Sequence, residues 1–264
     1  VIHLGHDRGA DEVARAAIQE DAHAVAITSY QGGAVEMFTH TKEILDDAGF
    51  GHVFLFGGGG GTILPHEIEH LDKDEIARIY SPDDGREMGL VGMAQDAMES
   101  AIQVDLLDEV RFDSISGPVT ADEHGAVSKL LTLAENGGES VFSSTLKRVR
   151  SRAEDDACPV VGLTGTGGAG KSSLTDEIML RIQRDNPGTK IALLATDPTR
   201  KRTGGALLGD RIRMNSLSDD NLFMRSFASR DSGREIAECV GRAIEVCQAV
   251  GFDLVMVETS GIGQ

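Results

Sequence analysis

The sequence lacks tryptophan, and aromatic residues make up only 4% of its 264 residues. It also lacks long apolar runs: no stretch approaches the ~18 residues that cross a bilayer, so a membrane-spanning protein is not expected. Basic residues are few, 25 against 43 acidic ones, and the net charge of −18 argues against nucleic acid as a partner. The sequence has three cysteines: Cys158, Cys239 and Cys247. Their number is odd and their spacing is not that of metal ligands, which favours a reducing, cytoplasmic location.

Glycine, in contrast, is abundant, with 32 residues, and short apolar runs alternate with stretches of helical spacing. This alternation predicts an α/β fold with mainly parallel sheets. We interpret residues 1–103 as a flavodoxin-like domain, with strands in VIHL, HAVAI, HVFLF and IARIY and a last helix from about 86 to 103. Residues 104–157 predict a helical linker, in which AVSKLLTLAENGG (126–138) has one apolar stripe and predicts a short helix, and the alternation resumes over 158–264. The chain begins inside an apolar run without methionine and stops just after a strand, so we expect a fragment.

The second glycine-rich stretch has the pattern of a phosphate loop. GTGGAGKS, residues 165–172, fits Gly-x4-Gly-Lys-Ser/Thr and lies between an apolar run and a helical stretch. Glycines let backbone N–H groups face phosphate oxygens, and the helix N-terminus adds positive potential. Lys171 would neutralise the β- and γ-phosphates, and the Ser172 hydroxyl would bind Mg²⁺. The candidate nucleotide-binding residues of the loop are Gly165, Gly168, Ala169, Gly170, Lys171, Ser172 and Ser173.

Three acidic residues of the same domain follow predicted strands or lie in a glycine-rich loop: Asp197, Asp210 and Glu258. Because parallel strands end at one edge of a sheet, we expect these carboxylates to gather around one Mg²⁺. Each one alone could equally be a solvated loop residue. The candidate catalytic residues are Lys171, Asp197 and Glu258.

The segments GTGGAGKSS, DPTR, GGALLGDRIRM and ETSGIGQ resemble the G-protein chaperones that serve adenosylcobalamin-dependent acyl-CoA mutases. The resemblance implies GTP hydrolysis, and contact between Arg213 and the nucleotide. It also implies a metal site formed by Ser172, Thr196, Asp197, Asp210, Glu258 and Thr259. No residue of these motifs reads the guanine base, so the preference for GTP over ATP rests on the resemblance alone.

The first domain carries the segments TSYQGG, FGGGGG and YSPDDG, which resemble the cobalamin-binding domain of the same mutases. Glycines would leave room for the nucleotide tail of the cofactor, and a hydroxyl could hydrogen-bond its base. The alternative is a flavodoxin-like regulatory or nucleotide domain with a glycine-rich loop. The resemblance implies that adenosylcobalamin contacts Thr28, Tyr30, Gly57, Gly58 and Ser81.

The histidine that ligates cobalt in these mutases is expected upstream of residue 1. His3, His6 and His23 lack the surrounding pattern, and we interpret them as structural or surface residues. The chain as written is therefore expected to bind cobalamin weakly or not at all.

A cobalamin domain followed by its G-protein chaperone is the order found in fused isobutyryl-CoA mutases. This resemblance implies an isomerase that interconverts isobutyryl-CoA and butyryl-CoA, with GTP hydrolysis gating cobalamin loading and release. The barrel that would bind acyl-CoA is not among these 264 residues, and we expect a homodimer. The alternative is a stand-alone regulator, in which a cobalamin- or ligand-sensing domain controls an NTPase without isomerase activity.

Overall fold

The computed structural model describes residues 1–153, 156–198, 210–229 and 233–259. The description covers the backbone alone at Glu109, Asp197, Pro198, Asp210, Arg213, Ser229 and 233–237. The chain divides into two compact units, residues 7–106 and residues 107–264 together with residues 1–6. The division after residue 106 lies close to the predicted domain end at 103.

The first unit is built on a parallel sheet of three strands in the order β1-β2-β3. Thr28 of β1 pairs in register with Gly58 of β2, and Gly57 of β2 pairs with Ile79 of β3. Apolar side chains of strands and helices together form one core, which includes Phe38 and Leu55. The elements are α1 (Ala10–Gln19), β1 (Ala24–Thr28), α2 (Ala34–Asp47), β2 (Phe54–Gly58), α3 (Pro65–Lys73), β3 (Arg78–Ile79) and α4 (Pro82–Ala101).

The predicted strand VIHL is wrong. Only Ile2 makes an isolated bridge, and the segment groups with the second unit. Neither described sheet includes residues 1–4, and a single bridge does not make a strand.

The last helix of the first unit, α4, also differs from the prediction. It is interrupted at Gly89, whose φ of 65° and ψ of 174° are not helical. The apolar residues that are spaced helically along this stretch are not buried. Ala97 is the buried residue of α4, whereas the following residues are exposed: Met88, Val91, Met98 and Ile102.

The second unit contains a parallel sheet of four strands in the order β4-β7-β5-β6. Together with the first sheet, it confirms the predicted α/β fold with parallel strands. The described helices and strands are α5 (Glu109–Asp113), α6 (His124–Asn136), α7 (Glu139–Val149), β4 (Val160–Leu163), α8 (Lys171–Asp185), β5 (Ile191–Pro198), β6 (Leu222–Ser229), α9 (Gly233–Ala249) and β7 (Leu254–Glu258). Two 3₁₀ helices, Asp210–Arg213 and Ser216–Ser218, lie between β5 and β6.

The segment expected to be a linker is helical, but it is an integral part of the second unit. Leu130 and Leu131 of α6 and Phe142 of α7 are buried in one core cluster with Leu194 and Val255 of the sheet. The stripe seen in the sequence of α6 therefore faces the sheet, and the phosphate-loop domain begins before β4.

Candidate nucleotide and metal site

The loop between β4 and α8 takes its shape from two glycines with positive φ. Gly168 has a φ of 76°, and Gly170, the N-cap of α8, has a φ of 84°. Other residues are strained in this region of backbone space, so these two positions favour glycine. The amide of Leu174 donates to the carbonyl of Gly170 (2.9 Å), and α8 therefore begins directly at Lys171.

Lys171 closes the loop from the helix side. Its Nζ donates to the carbonyl oxygens of Gly165 (2.9 Å) and Thr166 (3.2 Å). The ammonium group is thus held against the loop, next to a helix N-terminus with unpaired first-turn N–H groups. Ala169 donates its amide to the Thr166 carbonyl (3.2 Å), which tightens the same turn. A cation and a helix N-terminus at one loop are the elements of an anion site.

A buried carboxylate lies beside the first turn of α8. Glu258, at the end of β7, is only 4% exposed. Its Oε1 accepts from the Ser172 hydroxyl (2.7 Å), and its Oε2 lies 3.2 Å from the Thr175 hydroxyl oxygen. The strand register explains why Glu258 contacts the first turn of α8, because Glu258 pairs with Leu163 of β4, the strand that leads into the loop. Hydroxyl and carboxylate oxygens at this spot fit the oxygen ligands that Mg²⁺ prefers.

Two threonines of the predicted metal environment lie at the same end of the sheet. The Thr196 hydroxyl donates to the backbone carbonyl of Glu258 (3.2 Å), and the Thr259 amide donates to the carbonyl of Leu163 (3.0 Å). These hydrogen bonds thus tie β5, β7 and β4 together where the strands end. The structure brings Ser172, Thr196, Glu258 and Thr259 to this end of the sheet, and their binding of Mg²⁺ stays a prediction.

The other predicted residues of this site are placed by their backbone alone. Asp197 follows Thr196 in β5, and Asp210 and Arg213 begin and end a 3₁₀ helix. Their side chains lie outside the described part of the chain, as do residues 199–209 and 260–264. Within the described residues, no group of three or more His, Cys, Asp or Glu side chains forms a metal site. Ser173 lies exposed in the first turn of α8.

Sequence reasoning missed two polar residues of α8. Thr175 is fully buried against Glu258, and Asp176 is 6% exposed and accepts hydrogen bonds from Asn215 and Ser216. Both follow Lys171 and Ser172 by one helical turn, the spacing that puts side chains on one helix face. This four-residue spacing in the sequence could have indicated that both residues lie on the same face of α8 as Lys171 and Ser172.

The first unit brings its candidate residues to the ends of β1, β2 and β3. Thr28 is exposed, next to Gly58 in register, and no described residue hydrogen-bonds its hydroxyl. A Cβ on Gly57 would overlap the carbonyl oxygen of Ile27, and one on Gly58 would lie 3.0 Å from the Tyr80 carbonyl oxygen. The close approach of β1 therefore requires glycine at position 57, whereas position 58 is in tight contact with the backbone that follows β3.

The remaining candidates, Tyr30 and Ser81, differ in how they are held. Tyr30 is 71% exposed. Ser81 caps α4: its Oγ accepts from the Asp84 amide (3.2 Å) and donates to Asp84 Oδ2 (2.6 Å). Asp84 also accepts from Arg78 (2.8 Å), whose guanidinium stacks over the Tyr80 ring.

This cluster changes the ionisation of two side chains. The hydrogen bond from the Ser81 hydroxyl, helped by Arg78, lowers the pKa of Asp84 from 3.8 to about 2 despite its partial burial. Burial, with a hydrogen bond to Asp96 (2.7 Å), raises the pKa of Tyr80 to about 12. Asp84 is thus a carboxylate and Tyr80 a phenol at neutral pH.

The strand, the glycine loop and the helix that begins at Lys171, with Ser172 bound to a buried acid on the adjacent strand, define a P-loop domain. The chain belongs to the methylmalonyl-CoA mutase-associated GTPase family, MeaB, whose match covers residues 127–264. The match begins within α6, as expected if α6 and α7 are part of the P-loop unit.

The chain is similar to much longer proteins over its whole length. It is 48% identical over 266 residues to a fused isobutyryl-CoA mutase from Cupriavidus metallidurans, and 46% identical over 277 residues to one from Geobacillus kaustophilus. Each alignment covers all of this chain and 24% of the relative. A Caenorhabditis elegans protein, methylmalonic aciduria type A homolog, mitochondrial, is 36% identical over 169 residues, which are 60% of this chain and 42% of the relative. No helix among the described residues is both long and apolar enough to span a membrane.

Proposed function

We propose that the second unit binds and hydrolyses GTP with Mg²⁺. The observation that carries this proposal is the pairing of Lys171, held over the glycine loop, with Ser172 bound to the buried carboxylate of Glu258. The loop and the start of α8 bind the phosphates, and the oxygens of Ser172 and Glu258 hold the cation or its water ligands. Guanine as the base follows from membership of a GTPase family.

The residues divide the work of phosphoryl transfer between them. Lys171 exchanges its bonds to the Gly165 and Thr166 carbonyls for bonds to phosphate oxygens and neutralises their charge. Glu258 and Asp197 supply carboxylate oxygens on the metal side, and Thr196 and Thr259 fix the ends of their strands. We assign Asp210 a role at the metal and Arg213 a role at the nucleotide. When bound, Mg²⁺ supplies positive charge to the β- and γ-phosphates.

The test is the Mg²⁺ dependence of GTP hydrolysis in the full protein. Asp210→Ala should reduce Mg²⁺-dependent hydrolysis more than it reduces nucleotide affinity, because the carboxylate acts on the metal side. Asp219→Ala, which removes a half-buried carboxylate that accepts hydrogen bonds from Asn221, is the control and should change neither quantity. Normal turnover of Asp210→Ala at limiting Mg²⁺ would contradict the assignment.

We further propose that the first unit binds adenosylcobalamin, and that GTP hydrolysis gates the loading and release of this cofactor. Supporting this are the exposed Thr28 hydroxyl beside Gly58 and the glycine-rich segment after β2. The relatives that are 48% and 46% identical to the chain are fused isobutyryl-CoA mutases, which also supports this proposal. The full protein would then be a cytoplasmic, homodimeric isomerase acting on isobutyryl-CoA and butyryl-CoA through a barrel that binds acyl-CoA.

Cobalamin absorbance tests this second proposal in the full protein. Thr28→Val keeps the shape of the side chain but removes its hydroxyl, so it should weaken cobalamin binding. Thr120→Val, an exposed position of the other unit, should leave binding unchanged. A full protein that produces no cobalamin spectral change would instead favour a ligand-sensing NTPase regulator.

A further inference from the structure

Asp176 is a buried acid that the proposed mechanism does not use. It lies on α8, one helical turn after Ser172, and is 6% exposed. Its Oδ1 accepts from the Ser216 amide (2.9 Å), and its Oδ2 accepts from the Asn215 amide (3.1 Å) and the Asn215 side chain (3.2 Å). Burial opposes ionisation, but these hydrogen bonds outweigh it and lower the pKa of Asp176 below its ordinary value.

The partners of Asp176 belong to the segment that carries two candidate site residues. Asn215 follows Arg213 by two residues and Asp210 by five. The segment is fixed to the sheet at another point, because Nη1 of the buried Arg211 donates to the Met224 carbonyl of β6 (3.2 Å). Two attachments on either side of Arg213, one to β6 and one to α8, define where the 3₁₀ helix lies.

Apolar packing supports the same placement. Met214 is buried in one core cluster with Met179, which follows Asp176 by three residues on α8. Leu217 belongs to that cluster as well. The packing alone would tolerate small shifts of the segment, whereas two backbone amides bound by one carboxylate specify its register.

We propose that Asp176 is a positioning residue, which couples the phosphate-loop helix to the segment that presents Asp210 and Arg213 to Mg²⁺ and nucleotide. The inference rests on the proposed GTPase function. A carboxylate is required because it accepts from two backbone N–H groups and a side-chain amide at once. An asparagine of the same size has one acceptor oxygen, and its NH₂ group would face N–H donors.

The test compares Asp176→Asn with Glu177→Gln in the full protein. Glu177 is the adjacent acid of α8, but it is exposed and its carboxylate lies on the surface beside Arg181 (2.7 Å), so it controls for lost charge. Asp176→Asn should lower the kcat for GTP hydrolysis at least about tenfold, as small misplacements of reacting groups do. Nucleotide affinity in the presence of a Mg²⁺ chelator should stay within about threefold of wild type, since Lys171 and the loop are untouched. Glu177→Gln should change neither.

A double-mutant cycle with Asp210→Ala separates positioning from general loss of structure. If Asp176 acts through this segment, adding Asp176→Asn to Asp210→Ala should lower kcat by clearly less than it does in the wild-type background, where Asp210 is also displaced, whereas independent effects would multiply. The inference would be overturned if the effects of the two substitutions multiply. It would also be overturned if the kcat of Asp176→Asn stays within about twofold of the wild-type value. The inference would also be overturned if the nucleotide affinity measured with the Mg²⁺ chelator falls as much as kcat does, because a merely structural role predicts that result. A wild-type protein without GTP hydrolysis would refute the proposed function instead.

If Asp176→Asn fails to fold, Asn215→Ala removes one of the three donors and should give the same pattern with a smaller loss.

Discussion

The capping acid of α4 gives a stability prediction whose size follows from the structure. The pKa of Asp84 is lowered from 3.8 to about 2, chiefly by the hydrogen bond from Ser81 and further by Arg78. A shift of nearly two units corresponds to about 2 kcal/mol of stability at neutral pH. Because the folded-state pKa is lowered, this stability is fully present above about pH 5 and is lost as the pH falls through about 2. Asp84→Asn should therefore destabilise the first unit by about 2 kcal/mol at pH 7.

Urea unfolding followed by tyrosine fluorescence measures this loss. In a Tyr30→Phe background, Tyr80 is the remaining tyrosine, and it lies in the same cluster as Asp84. Asp83→Asn is the matched control, because Asp83 is the exposed neighbour in the same helical turn; it should change stability by less than about 0.5 kcal/mol. The difference between Asp84→Asn and the parent should shrink as the pH falls from about 4 toward about 2. A difference that is absent at pH 7, or constant with pH, would refute this account of the cluster.

Two further predictions concern the same unit. Gly57→Ala should destabilise it by about 3 kcal/mol in chemical unfolding, because the added Cβ overlaps the Ile27 carbonyl oxygen; Gly32→Ala, with open space around it, should be nearly neutral, and equal effects would contradict the packing argument. In an alkaline titration of phenolate absorbance, Tyr80 should ionise at about pH 12, and Asp96→Asn should lower that pKa toward 10, since it removes a hydrogen-bonding carboxylate. An unchanged titration would exclude this role of Asp96.

The phosphate loop was predictable because all of its determinants are local. The glycines at 168 and 170 and the lysine that begins α8 lie within a few residues of one another, and their spacing alone specifies the turn. Glu258 could be placed from the sequence for a related reason. A strand that ends in an acid brings that acid to the edge where the loop lies, whichever neighbour the strand has.

Contacts between distant segments were not predictable. Asp176 meets Ser216 40 residues further along the chain, and no sequence pattern marks that pair. The apolar stripe of α6 predicted a helix, but it did not show that the stripe faces the sheet of the second unit. In α4, a single glycine with a positive φ interrupts the helix, which periodicity cannot reveal because glycine also occurs in regular helices.

The binding of a GTP analogue by Lys171→Ala, measured by calorimetry in the full protein, tests the central claim most directly. Lys171 is held against the loop by the carbonyls of Gly165 and Thr166, and the claim is that it exchanges them for phosphate oxygens. Loss of this charge-assisted contact should weaken binding by about 2–3 kcal/mol, or about 30- to 150-fold. Arg181→Ala, which removes an exposed cation from the same helix, should leave affinity unchanged. If Lys171→Ala binds the GTP analogue with wild-type affinity, that result would contradict the assignment of this loop as the phosphate site.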